Sequence, residues 1–401
     1  MRLPVHRWFR YSAGFSAAWV HSLIASARRR GPVRVLDPFA GSGTTLIAAE
    51  DAGVPAVGIE AHPFVARIAR AKLASRTEPG AFLRAARHVQ RCAVRRKGDA
   101  DRYPDLVRRC YPDATLTSLD ALRQAVESAS DGSPASELVW LALISILRTV
   151  SPAGTAQWQY VLPNRQKRCV PDPWWAFDSA CRMFYDDMRA RRPQHSPAAM
   201  LIQGDARTCR GVEPRSATLV ITSPPYPNNY DYADATRLEM SFLGEIGGWG
   251  DLQHAVRRFL VRSCSQHVPD CSIDLAATLG EPELQPIREE LADVCATLAA
   301  IRATRGGRKT YHLMIAAYCR DLAQTWQALR RVTAASCRIC FVIGDSAPYG
   351  VYVPVVPWIG RLALAAGFAS FRFEKTRDRN IKWKNRKHRV PLQEGHLWVE
   401  G

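Results

Sequence analysis

In ITSPPYPNNYDY, Ile221 to Tyr232, an apolar run ends in Ser223-Pro224-Pro225-Tyr226, a hydroxyl and an aromatic ring bracketing two prolines. Neither proline has an N–H to donate and both fix φ near about −65°, so a sheet ladder stops there and the following loop is stiff. A hydroxyl oxygen at Ser223 and a rigid carbonyl at Pro224 can then accept hydrogen bonds at one point, beside a ring able to stack. Taken alone, Pro-Pro reads as a strand-ending turn. A second motif shifts the balance: in DPFAGSGTT, Asp37 to Thr45, Gly41 and Gly43 let backbone approach a ligand closely at a helix N-terminus, with Phe39 and Thr44 alongside. A dinucleotide fingerprint wants a third glycine where this chain has Leu46, which disfavours a nicotinamide cofactor. Glu60 closes the next apolar run at the spacing where ribose hydroxyls are gripped, and Asp205 closes a third, where a carboxylate can accept from an adenine amino group. Each acid also reads as a helix cap or loop anchor.

Such residues need strands to hold them. Residues 33–37 are an apolar run, a glycine turn and helical periodicity follow, and AVGIE ends on Glu60, which is the opening of a doubly wound parallel sheet. Residues 76–199 read as a helical insertion without strand rhythm, in which WLALISILRTV is a buried helix, Trp174-Trp175 are core, and Gln157 to Arg168 form a basic, aromatic loop. Strand runs resume at Met200–Ala206 and Ala217–Tyr226. A second helical insertion covers 244–308. The last part, 309–401, gives an amphipathic helix, the strand CRICFVIGD, another helix and a closing antiparallel pair. The expected fold is therefore α/β, with cofactor-site residues in 1–75, the Pro-Pro loop in 200–243, and target recognition assigned to the first insertion.

The 401 residues, 47% of them hydrophobic, allow a sizeable core. Lys and Arg outnumber Asp and Glu by 55 to 37, and the +18 balance suggests a polyanionic partner, nucleic acid before membrane. No apolar run is long enough for a secretory leader or a span, so a cytoplasmic protein with reduced thiols is expected. Cys337 and Cys340 form a C-x-x-C on a strand, where positions three apart face opposite sides, and no metal site is expected.

DPFAGSGTT together with TSPPY resembles the S-adenosylmethionine-dependent DNA methyltransferases that modify exocyclic amines, cytosine N4 or adenine N6. The resemblance covers residues 5–75 and 200–401 and implies a Rossmann-like methyltransferase sheet with an antiparallel C-terminal strand. It implies that Asp37, Phe39, Gly41, Gly43, Thr44, Glu60, Asp205 and Thr222 serve S-adenosyl-L-methionine, and that HRWFRYSAGFSAAWV lines the methionine pocket. In the implied chemistry, Ser223, Pro224, Pro225 and Tyr226 receive a flipped base: an exocyclic amine is a poor nucleophile until two acceptors draw it towards tetrahedral geometry. A cytosine C5 enzyme would need a Pro-Cys dipeptide, and the chain has none. Double-stranded DNA is the expected partner, with a cognate restriction endonuclease or defence-system proteins beside it. Asn229 and Tyr230 are candidates to touch DNA or to form a turn. Trp158 and Arg165 are candidates for sequence reading or packing, and Lys382, Trp383 and Lys384 for phosphate contact with stacking or a solvated hairpin loop. Ser at the head of the motif favours cytosine N4. Adenine N6, an RNA base amine and a non-catalytic binding subunit are the alternatives.

Overall fold

Among the described residues of the computed structural model nine strands form: β1 (Val35–Asp37), β2 (Ala56–Glu60), β3 (Ala153–Thr155), β4 (Val161–Gln166), β5 (Met200–Gln203), β6 (Ala217–Thr222), β7 (Thr333–Gly344), β8 (Ser370–Arg379) and β9 (Leu392–Glu400). The structure describes residues 3–11, 15–156, 159–191, 196–268, 273–306, 309–379 and 390–401. Seven of these strands make one sheet in the order β5-β2-β1-β6-β7-β9-β8. All neighbours pair in parallel except β9, which runs antiparallel between β7 and β8. The order reverses between β1 and β6, and in such a sheet ligands bind beyond the carboxyl ends of the strands at that reversal. This is the Rossmann-like sheet with an antiparallel C-terminal strand expected from the sequence.

The interior strands read as continuous apolar runs because both faces are covered. Successive residues of β6 go to opposite cores: Leu219 and Ile221 pack with Val20 and Ile24 of the helix Ala17–Arg28, whereas Val220 packs with Trp326, Phe341 and Ile359 on the other face. A third core fills the first insertion, where the helices Pro79–Val94, Asp113–Ser128, Pro134–Val150 and Pro173–Ala190 bury Phe82, Leu122, Trp140 and Phe184 against Phe64 and Ile68 of the helix Pro63–Leu73.

Three sequence expectations change. The first insertion is not wholly helical: β3 and β4 form an antiparallel two-stranded sheet within the segment read as a loop. Their apolar residues are too few for a periodic signal, and Pro163 sits inside β4. Trp175 is 64% exposed rather than core, because Asp172 caps the helix that starts at Pro173 and this fixes Trp175 on its solvent side, with Trp174 half-buried. The strand expected from Cys337 begins at Thr333, immediately after the helix Tyr311–Val332.

Candidate active site

A cleft enclosing about 800 Å³, its open mouth counted, lies beyond the carboxyl ends of β1, β2, β5 and β6. Its floor is the turn after β1. Gly41 has φ +52°, and a Cβ there would come 3.2 Å from the Tyr11 ring; Gly43, at φ +87°, opens the helix Thr44–Asp51. Both need the left-handed region that glycine enters without strain. The turn is locked to β2 by Glu60, which accepts from Gly41 N at 2.7 Å and from His62 N at 2.8 Å. Burial pushes the Glu60 carboxyl up to about 7. Each of its oxygens keeps a further lone pair, which suits a pair of ribose hydroxyls.

Phe39, Gly41, Thr44, Glu60 and Asp205 all line this cleft, together with Ser223 and Pro225. The structure thus brings the glycine turn, the strand-end acids and the Pro-Pro loop to one cavity. Asp205 is shared with Arg207, whose Nε lies 2.9 Å from both carboxylate oxygens. Asp37, Gly43 and Thr222 stand behind the wall. Asp37 is 1% exposed, accepts from Thr222 Oγ1 at 2.5 Å and from Phe39 N at 3.1 Å, and is pushed up to about 6 by burial. It shapes the turn by joining β1 to β6.

Ser223 Oγ donates to Val342 O of β7 at 3.1 Å. Its proton is committed there and it also shares a side-chain hydrogen bond with Tyr226, which leaves the hydroxyl one lone pair to accept. Tyr226 is 9% exposed and packs in the core beside β7; the Arg379 guanidinium lies 5.0 Å from its ring centroid. Arg379 in turn donates to Asp345 O at 2.6 Å and to Asn229 Oδ1 at 3.1 Å, so the end of β8 is fastened to the loop. Of this loop's tyrosines, Tyr232 is the one that lines the cleft, its ring tilted against that of Tyr230 at 4.1 Å between centroids.

The loop is held from outside the sheet. Asp231 accepts from Arg257 Nε at 3.0 Å and Nη2 at 2.6 Å, with His267 Nε2 at 3.3 Å. Burial pushes Asp231 up, but His267 and Arg257 outweigh it and hold the carboxyl at about 2. Asp231 N donates to Tyr160 Oη at 2.6 Å, beside β4, and Asn228 N donates to Ser263 O at 2.7 Å. Arg165 is exposed on β4. Trp158, Lys382, Trp383 and Lys384 lie outside the described residues.

Several lining residues were not singled out from the sequence. Tyr11 and Phe15, by contrast, belong to the N-terminal segment that the resemblance sets along the pocket; that segment is anchored by Val5 N and Trp8 Nε1 donating to Asp187 at 3.1 and 2.8 Å. His62, buried and lowered to about 3 by that burial, is neutral and meets Thr236 Oγ1 at 3.0 Å. Phe259, Leu260 and Val261 reach the cleft from the second insertion, where no local pattern announces them.

The fold and cleft define a Rossmann-like protein with a small-molecule site built on a glycine turn. Residues 5–71 match the family model for DNA methylases of the N6_N4_Mtase type. The chain is similar to the type II methyltransferase M.BsoBI of Geobacillus stearothermophilus, 24% identical over 276 residues covering 60% of this chain and 53% of that protein. It is also similar to the type II methyltransferase M.AvaI of Nostoc sp., 26% identical over 265 residues covering 60% of this chain and 54% of that protein. A solved rRNA methyltransferase, aviRa from Streptomyces viridochromogenes, aligns over 100% of this chain and 94% of its own at 12% identity and a TM-score of 0.31. These matches make the chain similar to DNA methyltransferases, and it spans about half the length of the curated relatives it matches.

Proposed function

We propose that this chain transfers a methyl group from S-adenosyl-L-methionine to an exocyclic amine of a base in double-stranded DNA, cytosine N4. The observation that carries the reading is the shared cleft: Ser223 and Pro225 stand on the same cavity as the glycine turn and Glu60. The residues present fit this cofactor. Glu60 has spare acceptor capacity for ribose hydroxyls, Tyr11, Phe15 and Phe39 offer apolar walls, and Asp205 lines the same cleft with its oxygens already accepting from Arg207 N and Nε. When bound, S-adenosyl-L-methionine supplies an electrophilic methyl.

The chain's own part is to prepare the nucleophile. Ser223 Oγ, with its proton on Val342 O, acts as an acceptor, and the Pro224 carbonyl is the second. Two acceptors drawing on one amine localise its lone pair towards the methyl, and Pro225 keeps them fixed. The assignment to cytosine rests on Ser at the head of the motif. A further bond from the hydroxyl to ring N3 would require it to leave Val342. A nuclease with the same recognition sequence is a candidate partner, since the relatives are type II methyltransferases.

Mass spectrometry of nucleosides from DNA treated with the protein and cofactor tests the reading. N4-methylcytosine is expected. N6-methyladenine alone would overturn the base, and no methylated nucleoside at all would overturn the activity.

A further inference from the structure

The loop 226–231 has a second side, turned away from the cofactor cleft. There it joins Tyr160 beside β4, Gln266 from the second insertion, and Lys309 and Tyr311 at the start of a long helix to line a separate cavity of about 420 Å³, open to solvent. Tyr160, Asn229 and Asp231 are committed to the loop's own anchoring, but three side chains on this cavity are not. Among the described residues the Asn228 side-chain amide, the Lys309 ammonium and the Tyr311 hydroxyl have no protein hydrogen-bond partner, and Gln266 uses only Oε1, which accepts from Cys264 Sγ and Ser265 Oγ. Asn228 is held with φ +57° by its N–H on Ser263 O, so its position is fixed by backbone while its amide stays available.

Primary amides that can donate and accept in one plane are the groups that read base edges, tyrosine rings are faces on which bases stack, and a lysine ammonium is a phosphate contact. No metal-type cluster or apolar anchor competes with that reading among the described residues. Resting on the activity proposed above, we propose that this cavity is a second base-recognition site. It takes a nucleobase flanking the methylated one, with the Asn228 amide and the Gln266 Nε2 donor on its edge, Tyr160 or Tyr311 stacking on it and Lys309 on the adjoining phosphate. The sheet-side cleft and this cavity are then the two faces of one loop, so that a correctly read neighbour and the target base engage the same ten-residue neighbourhood in register.

The test uses the full chain, as wild type, Gln266→Ala and Lys309→Ala, on duplexes of randomised sequence, with the methylated sites sequenced and cofactor affinity measured alongside. Gln266→Ala is expected to leave the methylated base and cofactor affinity unchanged while reducing discrimination at one flanking position about 5-fold to 100-fold. Lys309→Ala is expected to weaken all sequences alike and to lower the salt slope by about one unit. A Gln266→Ala profile superimposable on wild type overturns the cavity's role while leaving the methyltransferase reading intact. Wild-type protein that binds cofactor but methylates no duplex overturns both. If the variant differs from wild type only on duplexes that retain the base opposite the target, the cavity takes that partner base and the flanking assignment falls.

Discussion

Glu60 is a carboxyl whose burial raises it to about 7 while two backbone amides wait for its charge. Ribose hydroxyls donate best to the ionised form, so the bound cofactor favours loss of the proton. Cofactor affinity should therefore strengthen as pH rises through about 7, and Glu60→Gln should remove that component; isothermal titration from pH 6 to pH 8, roughly the span around the shifted value, checks it. For folding alone the sign is opposite. With the folded value above the unfolded one, the folded state binds the extra proton, and stability declines as pH rises between the two. Ser223 invites a different measurement. Ser223→Ala removes one of two acceptors at the reacting nitrogen, and should lower kcat by about 10-fold to 100-fold with cofactor affinity unchanged. An equal loss of both would mean that the hydroxyl only ties the loop to Val342.

At the scale of elements, the legible parts were those with a local cause. The glycine turn, the acid ending β2 and the prolines after β6 each owe their positions to strand ends, and a strand end is written in a few consecutive residues. The clamp on the Pro-Pro loop was not legible, because Asp231 meets Arg257 and His267 only through the folded path of the second insertion. Tyr226 shows the same limit: its residue type suggested an open stacking face, whereas the end of β8 brings Arg379 over the ring. The β3–β4 pair was missed because its strands are short and carry a proline. The clamp makes a stability prediction. Arg257→Ala leaves Asp231 buried without its cation and should cost about 3–5 kcal/mol at neutral pH in chemical denaturation. Asp231 is depressed to about 2, so its contribution is complete above the ordinary carboxylate value and is lost as pH falls towards about 2. The difference between wild type and variant should shrink over that acid window.

On the scale of the whole molecule, the +18 charge has to be distributed so that a polyanion arrives at the right edge of the sheet. The Pro-Pro loop and the end of β8 meet there, through Arg379 on Asn229 Oδ1. The segment that follows Arg379 in sequence contains Lys382 and Lys384, on either side of Trp383. Cations that contact phosphates carry no sequence information, whereas those that contact base edges do. Neutralising Lys382 and Lys384 together, as Lys382→Gln and Lys384→Gln, should therefore weaken binding to cognate and unrelated duplexes by the same factor. It should also flatten the plot of log affinity against log salt by about one to two units, the number of phosphates released. Fluorescence anisotropy on two duplexes across a salt series measures both quantities. A loss confined to one duplex, with the slope unchanged, would place these lysines on bases and move part of the sequence reading from the loop's second side to this edge.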